Sequence, residues 1–208
     1  MPCLGEPIQF DRALKAGDEL DAKFSWGEAT KRFSLSAVGI LSPTALSKNP
    51  KLSLPIDKEE FIEQLFVQRH DNDLMLAFQT SDGDSGRGFI CRIKWPQNTI
   101  QWCQTIPGFN IDATASMGSI YIGAIGFLGR LDPKDGKYLW SHDGLYEKDP
   151  AFNILCLAKE DATTVLFNAT SGIRGADVKQ ISLDRNTGKI IRISVVELVG
   201  VCHPPVSG

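Results

Sequence analysis

Three stretches of this chain superimpose ten residues at a time: Ile93-Lys-Trp-Pro-Gln-Asn-Thr-Ile-Gln-Trp102, Leu131-Asp-Pro-Lys-Asp-Gly-Lys-Tyr-Leu-Trp140 and Leu183-Asp-Arg-Asn-Thr-Gly-Lys-Ile-Ile-Arg192. Each runs from an apolar strand end through a polar turn into a second apolar strand. Asn98, Gly136 and Gly188 occupy the same place, where a tight turn needs a residue tolerant of positive φ. A unit recurring along a chain must bury its apolar face against its neighbours, so the repeat dictates a modular, stacked architecture.

The segments around the blocks complete that unit. Residues 59–106 hold four short runs rich in β-branched and aromatic residues, Phe61 to Val67, Leu74 to Gln79, Gly88 to Lys94 and Thr99 to Ile106, separated by Asp, Asn and Gly. That punctuation predicts an antiparallel meander. Residues 107–150 offer Ile111 to Ala115, Ser119 to Ala124, Gly126 to Leu131 and Lys137 to Ser141. Residues 151–198 offer Asn153 to Ala158, Thr163 to Asn168, Val178 to Leu183 and Lys189 to Val196. Residues 1–58 are read as a degenerate fourth unit with strands at Leu20 to Trp26 and Lys31 to Leu41, followed by an irregular connector at 42–57 containing three prolines. Helix is expected only at Phe10 to Leu14 and Asp57 to Gln64.

The blocks at 131–140 and 183–189 resemble the repeat of quinoprotein-like β-propellers, in which an apolar residue and Asp precede a turn ending in Asp-Gly-Lys or Thr-Gly-Lys, with a Trp on the outer strand. The third block is a partial match, with Lys94 for Asp, Asn98 for Gly and Thr99 for Lys. The resemblance covers residues 60 to 196 and implies an all-β fold, a small or incomplete β-propeller of four-stranded antiparallel blades; a β-sandwich is the structural alternative. The whole chain, 1–208, is read as one such domain. Quinone-binding members of that family are longer and carry a vicinal cysteine pair, which this chain lacks, so the resemblance implies the scaffold without the cofactor.

Chemistry is sparse. The formal charge of −3, from 22 basic and 25 acidic residues, leaves no electrostatic footprint for nucleic acid or an anionic membrane. Cys3, Cys91, Cys103, Cys156 and Cys202 are odd in number, widely spaced and without a C-x-x-C pair. They are expected to be reduced thiols in a cytoplasm, holding no metal. The N-terminus lacks a basic segment leading into an apolar run, and no stretch approaches the roughly 18 apolar residues of a membrane span. His70, His142 and His203 are read as surface histidines. Asp82-Gly-Asp-Ser-Gly86 has the alternating oxygens of a calcium loop but no distal Glu, so a hairpin loop is the simpler reading. Gly123, Gly126 and Gly129 precede strands rather than a helix and suit packed strands better than a phosphate site.

Function is therefore expected in what does not repeat. No catalytic or cofactor residue is assigned. Trp102 and Trp140 sit at equivalent positions and are read as packing between blades. Trp26, Trp95, Phe109, Phe127 and Tyr146, with Asp82 and Asp84, are the candidate contacts for a protein partner. The leading expectation is a non-enzymatic protein-binding module, in its specific form an immunity or inhibitor protein that covers the active site of a bacterial toxin, effector or enzyme. The alternative is an enzyme or small-ligand binder with a channel site using acids such as Asp112, Asp132 and Asp184; for the last two, turn capping is the plainer role.

Overall fold

The computed structural model describes residues 19–26, 29–36, 40–43, 52–54, 61–70, 73–81, 86–94, 97, 99–171 and 178–196, with side chains at 54 and, from 73 onward, within those ranges. Asp82, Asp84, Trp95, Cys3, Cys202, His203, the expected helix at Phe10 to Leu14 and most of the connector at 42–57 lie outside the described residues.

Among the described residues, sixteen strands form four sheets, each made of four consecutive strands in simple antiparallel order. The first sheet holds β1 (Glu19–Trp26), β2 (Ala29–Ser36), β3 (Ile40–Pro43) and β4 (Leu52–Ser53). The second holds β5 (Phe61–His70), β6 (Asp73–Ser81), β7 (Gly86–Lys94) and β8 (Thr99–Ile106). The third holds β9 (Asp112–Ser116), β10 (Ser119–Ala124), β11 (Phe127–Leu131) and β12 (Tyr138–His142), and the fourth β13 (Ile154–Glu160), β14 (Thr164–Thr170), β15 (Val178–Asp184) and β16 (Ile190–Val196). An immunoglobulin-type sandwich passes strands between its sheets. Here no described strand leaves its own meander, so the fold is all-β and built of propeller-type blades.

Three expectations are corrected. The run from Lys31 to Leu41 is two strands, and the connector contributes β4, because Leu52 and Ser53 find partners in Leu41 and Ile40. The N-terminal unit is thus a complete four-stranded sheet. Phe61 to Gln64, which the sequence offered both as the start of a strand and as the end of the helical turn at Asp57 to Gln64, is strand, paired with the run from Ser81 back to Gln79.

The chain divides into two compact units, one from Met1 to Thr105 with Gly208, the other from Ile106 to Ser207. Within the first, β6 is buried from Leu74 to Ser81, so both its faces are covered. Phe78 stacks on Phe89 with ring centroids 5.1 Å apart, and Arg92 Nε donates to Asp73 Oδ2 at 2.7 Å. Cys91 on β7 and Cys103 on β8 are joined in a disulfide, and Cys156 is also disulfide-bonded. The expectation of reduced thiols is overturned: the spacing in sequence concealed that neighbouring strands bring Cys91 and Cys103 together.

In the second unit the core lies between the third and fourth sheets: Tyr121, Leu128, Trp140, Leu145, Phe152, Leu155, Val165, Phe167, Ala169, Ile181 and Leu183. Full burial of such a side chain is worth about 1.5–3 kcal/mol each. The sheets approach closely because Gly123 of β10 has no side chain; a Cβ there would lie 2.0 Å from the Leu155 carbonyl oxygen on β13. The repeated turn explains the rest of the junction. Asp184 Oδ1 accepts from the backbone N–H groups of Asn186 and Thr187 and from the Thr187 hydroxyl, while Asp132 Oδ1 accepts from Lys134 N. Backbone bonds held by Asp184 pull its carboxyl below the usual range. Gly188, at φ +71, then presents a bare backbone to the Trp140 ring. Trp140 Nε1 completes the contact by donating to the Arg185 carbonyl at 2.9 Å.

Candidate functional site

Two groups of side chains in the second unit stand out, and they differ in what they can do. The first is a polar interlock between the third and fourth sheets. Tyr121 Oη donates to Glu160 Oε1 at 2.5 Å, and Arg185 Nε donates to the same oxygen at 2.5 Å. Arg185 Nη2 reaches the Met117 carbonyl at 2.9 Å. Arg130 Nε donates to Ser119 Oγ at 2.9 Å and its Nη1 to the Arg185 carbonyl at 2.6 Å. The Glu160 side chain is 1% exposed. Burial first, then the bond to Glu160, pushes the Tyr121 hydroxyl up to about 12, keeping it a neutral donor. These hydrogen bonds tie the β15–β16 turn to the third sheet, so the group acts as a fastener for that turn.

His142 belongs to the same junction. Its Nε2 lies 2.7 Å from the Gly188 carbonyl oxygen and it is half-buried. The expected surface histidine is thus half-buried and hydrogen-bonded, because β12 runs alongside the turn that carries Gly188. His70 is the last residue of β5.

The second group is a loop cluster around the β10–β11 turn, residues Ile125 and Gly126. Ile125 N donates to the Phe109 carbonyl at 2.8 Å, Gly126 N to the Phe152 carbonyl at 2.8 Å, and the Gly126 carbonyl accepts from Leu145 N at 3.0 Å. Three short segments are thus pinned to one tight turn. The first is the bend after β8, where Asn110 takes φ +54. The second is a short helix, α1 (Leu145–Lys148), and the third a 3-10 turn at Pro150–Asn153.

The polar segment 143–149 is held in place for identifiable reasons. Asp149 Oδ1 caps the 3-10 turn by accepting from Ala151 N at 3.0 Å, and Pro150 supplies the preset φ of a first helical position. The other carboxylate oxygen of Asp149 pairs with Lys179, which holds the Asp149 carboxyl below its usual range. Leu145 and Phe152 anchor the segment from below as core residues. Asn110 Nδ2 donates to Asn153 Oδ1 at 3.3 Å, and Asn153 Nδ2 to the Ser171 carbonyl at 3.0 Å.

On this base two aromatic rings face outward. Phe109 is 37% exposed and Tyr146 41% exposed. A Cβ on Gly126 would come within 2.9 Å of Tyr146 Cβ, so the Tyr146 backbone rests on the turn whose preceding residue bonds Phe109. Asp143, Glu147, Lys148 and Pro150 are exposed nearby in sequence and give a mixed polar surround. An aromatic pair on restrained backbone with a polar rim is the anatomy of a protein-recognition patch.

Of the candidate contacts, the fold sets the backbones of Phe109 and Tyr146 against the same turn. Phe127 is corrected: it is 3% exposed and meets Tyr138 edge-on at 5.6 Å, because its position on β11 points it into the sheet packing. Trp26 ends β1, with only its strand position described. The acids of the channel alternative also find backbone partners. Asp132 and Asp184 hold their turns, and Asp112 Oδ2 accepts from Leu157 N at 3.4 Å. Among the described residues no group of three His, Cys, Asp or Glu could hold a metal, and no helix is long and apolar enough to cross a membrane.

No protein-family model matches the chain, and no match is found among the curated proteins. Among solved structures it is similar to a europium-containing methanol dehydrogenase, at 16% identity over 65% of this chain and 27% of that one, with a TM-score of 0.41. A quinohemoprotein alcohol dehydrogenase from Pseudomonas putida HK5 gives 15% identity over 62% of this chain and 20% of that one, with a TM-score of 0.45. BamB from Moraxella catarrhalis gives 15% identity over 93% of this chain and 67% of that one, with a TM-score of 0.37. The chain spans about a quarter and a fifth of the two dehydrogenases' lengths. The blade topology stands on the strand pairing itself.

Proposed function

We propose that this chain is a non-enzymatic protein-binding module whose partner docks on the loop cluster bearing Phe109 and Tyr146. The observation that carries the proposal is the pairing of two exposed aromatic side chains on one turn, with the loops beneath them restrained by backbone hydrogen bonds. Loops already fixed before binding lose little conformational freedom on association, which leaves more of the contact energy as affinity. In its specific form the module is an immunity or inhibitor protein that covers the active site of a partner toxin, effector or enzyme. Its small size and mildly acidic charge of −3 agree with that role.

The disulfides bear on where the partner is met. Disulfides persist in oxidising compartments and are rare in reducing cytosol. The cytoplasmic expectation rested on reduced thiols, so the location we propose is an oxidising compartment. The test is affinity capture from the source cell with the full chain, oxidised and reduced, followed by assay of the captured protein's own activity. Stoichiometric capture of one protein, inactive when bound and active when released, is the expected result. Absence of a stoichiometric partner, or undiminished activity in the complex, contradicts the proposal.

A further inference from the structure

We propose that β16 is a self-association edge, pairing antiparallel with β16 of a second copy about a two-fold axis through Ile193. β16 is the last strand of its sheet and bonds to β15 alone among the described strands. Natural edge strands are blunted by charges, prolines or inward-facing acids. The sequence Ile190-Ile-Arg-Ile-Ser-Val-Val196 has one charge, no proline and no acid. Ile191, Ile193 and Val195 are 60%, 46% and 61% exposed.

Strand register says which surface these residues extend. Ile193 lies opposite Ile181, a fully buried core residue, and Val195 opposite Lys179, which reaches over the Phe152 ring. Directly opposed residues share a face of the sheet. Ile193 and Val195 therefore continue the core face outward, past the point where the second unit's own residues cover it. The register shift between Ser182 and Leu183 sits at the Ile190–Ile191 end and leaves Arg192 to Val196 regularly paired.

The occupant is identified by complementarity. Ile193 is the middle residue of β16. A two-fold axis through it sets Ile193 against its counterpart, Arg192 against Ser194 of the second copy, Ile191 against Val195 and Ile190 against Val196. All apolar residues then meet apolar residues, and the one charge meets a hydroxyl. Sliding the axis to Arg192 opposes two guanidinium groups, and sliding it to Ser194 leaves Ile190 and Ile191 without strand partners. An isologous contact of this kind closes at two copies. Among the other terminal strands of this unit's sheets, β12 offers no such row: Leu139 is exposed, but Trp140 and His142 are engaged inward.

Analytical ultracentrifugation of the full chain tests the proposal, with Ile193→Lys, Leu139→Lys as control, and Ile193→Cys under mild oxidation. Residues opposed across a two-fold strand pair have Cα atoms about 4.5–5.5 Å apart, within disulfide reach. Wild type and Leu139→Lys are expected to sediment as dimers that dissociate on dilution, Ile193→Lys to dimerise at least about tenfold more weakly, since it opposes like charges, and Ile193→Cys to cross-link to itself. Should Ile193→Lys fail to fold, the Ile193→Cys cross-link decides. A monomeric wild type at every soluble concentration, a dimer indifferent to Ile193→Lys, or an uncross-linked Ile193→Cys overturns the proposal.

Discussion

Gly188 and Gly118 allow the packing of the repeated turn to be separated from its backbone strain. Both have left-handed backbones, φ +71 and +74. A Cβ on Gly188 would lie 2.6 Å from Trp140 Cγ, whereas one on Gly118 would meet nothing within 4 Å. Alanine at either site carries the left-handed penalty of about 1–2 kcal/mol, and both substitutions change the unfolded chain equally. Only Gly188→Ala adds overpacking against a ring, a further 1–3 kcal/mol or about that order. Gly188→Ala should therefore destabilise the second unit by about 2–5 kcal/mol and Gly118→Ala by about 1–2 kcal/mol. Urea denaturation followed by tryptophan fluorescence reads the difference. Equal losses within about 0.5 kcal/mol, the scatter of a neutral surface change, would refute the docking of Trp140 on the turn.

Further outcomes are expected elsewhere. Alkylation of the unreduced protein should leave Cys91 and Cys103 unlabelled by mass spectrometry, and the Cys91→Ser, Cys103→Ser double variant should lose about 2–4 kcal/mol, the usual worth of a disulfide. Labelling of either cysteine without reductant would contradict the bond. Tyr121 is held neutral in the fold up to about 12, above the ordinary value of 10.0. The folded state then keeps a proton that the unfolded chain releases, so stability present below pH 10 should fall as pH rises towards about 12. Alkaline melts should show that decline in wild type and a shallower one in Tyr121→Phe.

Much of the architecture was legible because its physics is local. Strand β10 was expected at Ser119 to Ala124, β8 at Thr99 to Ile106 and the start of β15 at Val178, since alternating β-branched runs and turn residues carry that information in sequence. The roles of Gly136 and Gly188 followed from turn geometry, and the caps at Asp132 and Asp184 from side-chain oxygens competing for nearby N–H groups. What stayed hidden depends on contacts remote in sequence. Glu160, Arg185, Arg130 and Tyr121 have no shared motif and meet only when two sheets stack. Cys91 and Cys103 look unpaired until their strands neighbour each other. Phe109 and Tyr146 could be named as aromatics outside the expected strands and Phe127 as one at a strand's start, yet composition alone could not tell the two that are exposed from the one that turns into the packing.

The central claim is that Phe109 and Tyr146 anchor a protein partner on a preformed loop cluster. Calorimetric titration of the captured partner with wild type and with the Phe109→Ala, Tyr146→Ala double variant tests it most directly. Anchor aromatics cost at least about 2 kcal/mol when truncated, and substitutions at exposed sites move stability by only about 0.5 kcal/mol. The account predicts binding weakened by at least about thirtyfold, since each 1.4 kcal/mol or so is tenfold, with an unchanged denaturation midpoint. Unaltered affinity in a folded double variant would contradict it.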